Sequence, residues 1–267
     1  MLQRLLKEPP FRIATRLAVK LLPVRASVKS GWDVVGKPQY LTGLVHAARE
    51  AQTQGITSFC AIEFGVAGGF GLIELQKYAE MVEQEFGVTI NVVGFDTGAG
   101  LPTFCGDYRD HPDLWVEGDY PMDVDALQSR LSDRTELVLG NVADTLLDYT
   151  KNRQRHPVGF VSFDMDLYSS TTDALQLFLL PQRSNLKRVT LYFDDVHTPI
   201  YHRRAGEYLA IREFNDKQSS IFIDRWYNVS IDRPFPEAFW LNKMYIAHDL
   251  DQISATKMDR PVVVWKM

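Results

Sequence analysis

Acidic residues recur at the ends of apolar runs in this chain, and their spacing suits the capture of a hard cation. VGFVSFD (158–164) ends in Asp164, with Asp166 two positions on, and RVTLYFDD (188–195) ends in the pair Asp194–Asp195. Adjacent strands lie about 4.8 Å apart. If the two runs are neighbours, Asp164, Asp194 and Asp195 converge within a few ångströms. Bare carboxylates that close repel one another. A divalent cation relieves the repulsion, and an all-oxygen ligand set favours Mg2+, Ca2+ or Mn2+. Asp166, displaced from the ligand set towards a substrate, has the chemistry of a general base. The Asp194–Asp195 pair on its own would equally suit a solvated turn.

Two further runs end in acids. SFCAIEF (58–64) contributes Glu63 and leads into EFGVAGGFG (63–71), a glycine-rich passage from strand to helix. Glycines there let a ligand approach the backbone, and the helix start beyond offers unpaired N–H groups to an anion. The dinucleotide fingerprint G-x-G-x-x-G is not met, because Ala67 stands where the second glycine belongs after Gly65. TINVVGFD (89–96) ends in Asp96, followed by Thr97 and Gly98. An acid at that place accepts hydrogen bonds from ribose hydroxyls, or caps the turn that follows. Glycine loop and acid together imply an adenosine-containing ligand.

These acids need a scaffold. Apolar runs 58–64, 89–96, 136–141, 158–164 and 188–195 alternate with helical patterns over 40–54, 70–86, 123–132, 143–151, 171–180 and 204–217. Continuous apolar strands alternating with helices predict a doubly wound, mostly parallel α/β sheet covered on both faces. Ligands of such sheets bind beyond the carboxyl ends of the strands, where the acids fall. Strand-like segments 221–231, 239–248 and 261–265 predict antiparallel strands at the C-terminal edge. The stretch 97–122 is long for a plain connection and reads as a lid. Its Phe104, Tyr108 and Trp115 either stack on a sugar or pack; Tyr168 either walls the acceptor or joins the core.

The 267 residues carry a net charge of −5, which argues against a nucleic-acid partner. Two cysteines, Cys60 and Cys105, make no disulfide framework, and no apolar run approaches the roughly 20 residues of a membrane span. A cytoplasmic protein is expected. Residues 1–30 stand apart, with seven bases (Arg4, Lys7, Arg12, Arg16, Lys20, Arg25, Lys29) against Glu8. Arg12, Arg16 and Lys20 recur every four positions beside a stripe of Ile13, Leu17 and Leu21. That is a basic amphipathic helix, suited to packing on the acidic body, to a membrane surface, or to pairing subunits in a homo-oligomer. The chain thus divides into this segment and one domain over 31–267.

The motifs E-F-G-x-A-x-G (63–69), G-F-D-T-G-A-G-L-P (94–102), G-N-V-A-D-T-L (140–146), F-D-M-D-L-Y-S-S-T-T-D-A-L (163–175) and the later F-D-D resemble those of the macrocin O-methyltransferase family. Its members are class I S-adenosylmethionine-dependent enzymes with a Rossmann-like fold, many of them acting on sugars of antibiotics and glycans. The resemblance spans roughly residues 58–217. It implies that Asp164, Asp194 and Asp195 ligate Mg2+ and that Asp166 is the base. It also implies that Gly65 and its loop hold the methionine part of the cofactor, Asp96 the ribose, and Asn141–Val142 the adenine. The cofactor-binding set is accordingly Glu63, Gly65, Ala67, Gly69, Asp96, Thr97, Asn141, Val142 and Asp164. The chain departs from the family after the acid pair, where Val196–His197 replace the usual tyrosine, and His197 becomes a second candidate base. It also has Gly98–Ala99 in place of an aromatic–acid pair.

The expected activity is methyl transfer to a hydroxyl of a sugar or glycosylated small molecule. Two alternatives remain: an NAD(P)-dependent oxidoreductase using the same glycine loop, which leaves the acid pair unexplained, and a non-catalytic module that binds an adenosine ligand. His202, Arg203 and Arg204 either meet an anionic acceptor or form a solvated helix start.

Overall fold

The computed structural model describes residue 8 and residues 11–197, 202–217 and 219–257. Among the described residues seven strands form one sheet: β1 (Ser58–Phe64), β2 (Thr89–Asp96), β3 (Thr135–Leu139), β4 (Val158–Phe163), β5 (Asn185–Phe193), β6 (Ile221–Arg225) and β7 (Met244–Asp249). Their order is β3-β2-β1-β4-β5-β7-β6. The first five are parallel, and β7 runs antiparallel between β5 and β6. The order reverses beside β1, so the crevice of a doubly wound sheet opens between β1 and β4. This is the expected architecture. One refinement concerns the tail: its antiparallel strand is internal, and β6 forms the edge. The expected strand at 261–265 lies outside the described residues.

The α-helices of the described residues are α1 (Phe11–Leu21), α2 (Ala26–Gly31), α3 (Pro38–Thr53), α4 (Phe70–Phe86), α5 (Val124–Gln128), α6 (Val142–Asp148), α7 (Tyr168–Leu175), α8 (Gly206–Lys217) and α9 (Leu250–Ala255). α3 and α4 cover one face of the sheet, burying Tyr40, Leu44, Leu75 and Tyr78 with Phe160. α6, α7 and α8 cover the other, with Leu146, Leu175, Leu209 and Phe214. Strands β1 and β4 are buried almost throughout, which is why they read as unbroken apolar runs. Contact between α3 and β4 is close, since a Cβ on Gly43 would lie 2.2 Å from the Phe160 ring.

A row of four phenylalanines crosses the second face. Phe95, Phe64, Phe163 and Phe193 occupy matching register positions on β2, β1, β4 and β5. Their ring centroids are 4.9, 5.5 and 4.4 Å apart in turn. Asp96, Asp164 and Asp194 each follow one of these rings, so a single aromatic layer sets their height at the sheet's edge.

On the opposite face, His46 of α3 is packed against Trp226 at 4.4 Å, and its Nδ1 meets Thr190 Oγ1 at 2.8 Å. Burial, then the charges of Arg49, Arg188 and His248, hold its pKa down at about 4. The folded chain therefore keeps His46 neutral while the unfolded chain protonates near pH 6.5. Stability falls as pH drops through that interval, by up to about 3 kcal/mol, and is level below pH 4. Melting temperatures measured from pH 7 to 4 should fall less steeply in His46→Gln, which keeps a hydrogen-bonding group but takes up no proton.

α1 lies on the body through its basic side. Arg12 Nη1 donates to the Pro234 carbonyl at 3.3 Å and Arg16 Nη2 to that of Asp33 at 2.8 Å. Both guanidinium groups sit over the Phe235 ring, at 5.1 and 4.7 Å. Packing on the body is one of the roles expected for this segment; it leaves the apolar stripe outward. Among the described residues no helix is long and apolar enough to cross a membrane.

Candidate active site

A cavity of about 490 Å³ opens at the carboxyl ends of β1, β2, β4 and β5, within the range of small-molecule sites. One wall is the glycine loop after β1, from Gly65 to Gly68, with Gly71 of α4. Gly65 has φ +84°, and a Cβ there would stand 1.8 Å from the Asp164 carbonyl oxygen. Only glycine lets the two strand ends meet. Ala67 also has positive φ, at 46°. Gly69, expected in the cofactor set, does not line the cavity: it precedes α4 with φ +82° and faces Leu127.

Asp96 is tied to the loop. Its Oδ2 accepts from the Val66 and Ala67 amides, each at 2.8 Å, and its Oδ1 from Gly98 N at 2.7 Å. The turn-capping role is therefore present, and Asp96 still lines the cavity together with Thr97. Beyond β3, Gly140, Asn141 and Val142 form the far wall. Asn141 caps α6 through Oδ1 to Ala143 N, at 3.0 Å.

Glu63 lies at the floor. Burial pushes its carboxyl up to about 8, partly offset by Lys37 and by the Tyr40 hydroxyl, which donates to Oε1 at 2.5 Å. Its Oε2 has no hydrogen-bond partner among the described residues. Tyr40 also takes a bond from Ser162 Oγ at 3.0 Å, and Lys37 Nζ donates to the Tyr40 hydroxyl at 3.3 Å. The same ammonium lies 3.7 Å from Asp164 Oδ2.

The three expected ligands come together. Asp164, Asp194 and Asp195 each offer an oxygen within 4.8 Å of the others. Burial, then repulsion from Asp194, pushes the Asp164 carboxyl up to about 7. Burial and Asp164 do the same to Asp166, also to about 7. Asp195 is raised well above the carboxylate range by burial and by Asp166 and Asp194. Six acids crowd here once Glu63 and Glu207 are included, against the two ammonium groups of Lys37 and Lys243. The surplus of negative charge, the all-oxygen donors and an Asp195 Oδ2 with no hydrogen-bond partner among the described residues fit a hard divalent cation.

Asp166 lines the cavity and has φ +61°, a costly conformation for a non-glycine residue and one that clusters at functional sites. His197 does not line the cavity. Its ring lies 6.2 Å from that of Tyr208, and burial with Arg225, Lys243 and Arg203 lowers its pKa. Of the two candidate bases, the fold brings Asp166 to the carboxylates.

The long segment after β2 closes over the cavity with Gly100, Leu101, Pro102, Trp115, Asp119 and Tyr120. Leu101 N donates to Asp119 O at 2.8 Å and Gly118 N to Leu101 O at 2.9 Å, which pins the two arms. Trp115 thus walls the cavity, whereas Phe104 and Tyr108 do not. Tyr168 is a core residue whose hydroxyl donates to Glu213 at 2.9 Å. His202, Arg203 and Arg204 are also outside the cavity lining; Arg203 lies over the Tyr208 ring at 5.6 Å.

Several residues of the site escaped the sequence reading. Lys243 Nζ donates to the Asp194 backbone oxygen and lies 3.2 Å from Oδ1. Tyr192 donates to Asp194 Oδ1 at 2.5 Å. Glu207, fully buried, accepts from Asp195 N at 2.8 Å and is pushed well above its usual pKa by burial and by Asp195. Tyr192 carried a signal, since strand spacing puts it on the same side as Asp194. Lys37, Tyr40, Glu207 and Lys243 arrive from distant elements and carried none.

No family model and no curated protein sequence matches the chain. Among solved structures it is similar to CalS11, a calicheamicin methyltransferase, at 20% identity over 78% of this chain and 86% of that one, with a TM-score of 0.50. It is also similar to the O-methyltransferase NovP, at 18% identity over 72% and 80%, TM-score 0.49. A third is SAH-bound PaMTH1, a methyltransferase of Podospora anserina, at 10% identity over 90% and 88%, TM-score 0.44. At 20% identity the likeness to CalS11 speaks to architecture alone, and with the strand order it shows the class I, Rossmann-like methyltransferase fold.

Proposed function

We propose that the chain is an S-adenosylmethionine-dependent O-methyltransferase, assisted by a divalent cation such as Mg2+, whose acceptor is a hydroxyl of a sugar or glycosylated small molecule. The observation that carries this reading is one cavity joining the Gly65–Gly68 loop and the Asn141 edge to the carboxylates of Asp164, Asp166, Asp194 and Asp195. An NAD(P)-dependent oxidoreductase has no use for the second half of that arrangement.

Glu63 Oε2, which has no partner among the described residues, suits the amino group of the cofactor's methionine part, the Gly65–Gly68 loop lets that part approach the backbone, and Asn141–Val142 suit its adenine. S-adenosylmethionine supplies an electrophilic methyl group whose sulfur leaves as a neutral thioether, so no oxyanion hole is required. Asp164, Asp194 and Asp195 would hold the cation, which supplies Lewis-acid polarisation of the acceptor hydroxyl and a template for it. Asp166 takes the hydroxyl proton as the acceptor oxygen forms its bond to carbon. Trp115 and Tyr120 wall the space left for the acceptor, and alignment of the reacting atoms provides much of the acceleration.

Isothermal titration of the full chain with S-adenosylmethionine and, separately, with NAD tests the cofactor. S-adenosylmethionine should bind and NAD should not; binding of NAD alone overturns the proposal. Binding of S-adenosylmethionine without methyl transfer to any vicinal-diol probe, with or without Mg2+, would favour the non-catalytic module.

A further inference from the structure

The amphipathic helix α1 is turned inside out relative to a helix that merely packs. Its basic side faces the protein, where Arg12 and Arg16 are held by Phe235 and by the Pro234 and Asp33 carbonyls. The apolar side faces solvent, with Ile13 69%, Leu17 58% and Leu21 75% exposed. Only Val19 of the helix is buried. The apolar strip extends through Leu22, Val28 and Phe11, all exposed. Leaving such a strip in water is costly, and contiguous exposed apolar patches mark interaction sites.

Charge selects the occupant. Lys20 and Arg25, exposed beside the strip, make no ion pair among the described residues. Lys29 of α2 adds a third base at this end, while the whole chain is negative. A second copy docked face to face would set the same positive charges against each other. An apolar stripe flanked by lysine and arginine matches an anionic bilayer, where the stripe enters the acyl boundary and the bases meet the headgroups. We infer that the outward face of α1 docks on an anionic lipid surface.

The placement has a further feature. A shallow groove between α1 and residues 34–36 is lined by Ile13, Leu17, Lys20, Val35 and Gly36. A Cβ on Gly36 would lie 3.5 Å from Phe70, which is 62% exposed and lines the candidate active site. Lys37, the next residue, lines it too. The docking face and the mouth of the cavity therefore adjoin.

Flotation of the full chain with vesicles of phosphatidylcholine plus phosphatidylglycerol, and with pure phosphatidylcholine vesicles, tests the inference. The wild type should float with the first and not the second. Leu17→Glu/Leu21→Glu and Lys20→Glu/Arg25→Glu should each lower the bound fraction about tenfold, with melting temperature unchanged because these side chains are exposed. As a second readout, Leu17→Trp should shift its emission to the blue on adding the anionic vesicles. No flotation of the wild type overturns the inference, as does undiminished flotation of Leu17→Glu/Leu21→Glu or an unshifted Leu17→Trp spectrum. A dimer seen by gel filtration that Leu17→Glu/Leu21→Glu dissociates, without vesicle binding, would assign the face to a second copy instead. None of these readouts depends on methyl transfer.

Discussion

Asp194→Ala should lower Mn2+ affinity, read by electron paramagnetic resonance, by roughly a hundredfold or more, since loss of even an outer partner of a metal site costs 10–100-fold. Methyl transfer to a catechol probe should fall by roughly a thousandfold, a loss at the upper end for removing one electrostatic stabiliser, and should cease to respond to Mg2+. Binding of S-adenosylmethionine should survive, because Asp194 follows β5, and β4 stands between that strand and β1 with its glycine loop. Folding should survive as well. Lys243 Nζ also donates to the Asp194 backbone oxygen, so truncation does not strand its ammonium group. Asp194→Asn, which keeps an acceptor for Tyr192 while removing the charge, should share the Mn2+ defect. A variant that binds Mn2+ and turns over as the wild type does would remove the cation from the proposal.

Gly65→Ala should cost about 3 kcal/mol or more of unfolding free energy, read from denaturant melts. The residue needs φ +84° and has no room for a methyl group, with the Asp164 carbonyl 1.8 Å from the Cβ position. β1 and β4 would have to part where the loop amides and the carboxylates meet, so S-adenosylmethionine binding should be lost with the stability. Gly68→Ala provides the control. Nothing lies within 4 Å of its Cβ position and its φ is not positive, so the fold should be unmoved within about 1 kcal/mol. Equal stability of Gly65→Ala and the wild type would mean that the strand ends are looser than the geometry requires.

The sheet was legible because its strands are buried on both faces, so their apolar runs had few rivals for interpretation. Strand ends were less so. β5 stops at Phe193, and Asp194 and Asp195 lie beyond it, whereas Glu63 and Asp96 remain inside β1 and β2. In the tail, the run 221–231 leaves the sheet at Arg225, and its second half is a turn that ends before Pro234. The convergence of Asp164, Asp194 and Asp195 followed from strand adjacency alone and is seen. What sequence could not supply was the inner support. Lys37 precedes α3, Glu207 belongs to α8 and Lys243 leads into β7, so their meeting depends on how whole layers pack. Gly69 and His197 show the converse error, since nearness in sequence to a motif placed neither on the cavity. The orientation of α1 was equally hidden, because an amphipathic pattern fixes two sides and not which of them faces inward.

The file of phenyl rings from Phe95 to Phe193 has a consequence for how this molecule can vary. Each ring locks its strand against a shift of one residue, which would turn the following acid to the opposite side of the sheet. Insertions or deletions inside those strands should therefore be lethal to chemistry, whereas the exposed parts of residues 97–122, beyond the rings and outside the pins of Leu101, Asp110 and Asp119, can change in length and composition. Acceptor preference can drift in that overhang while the carboxylate rank beneath stays fixed.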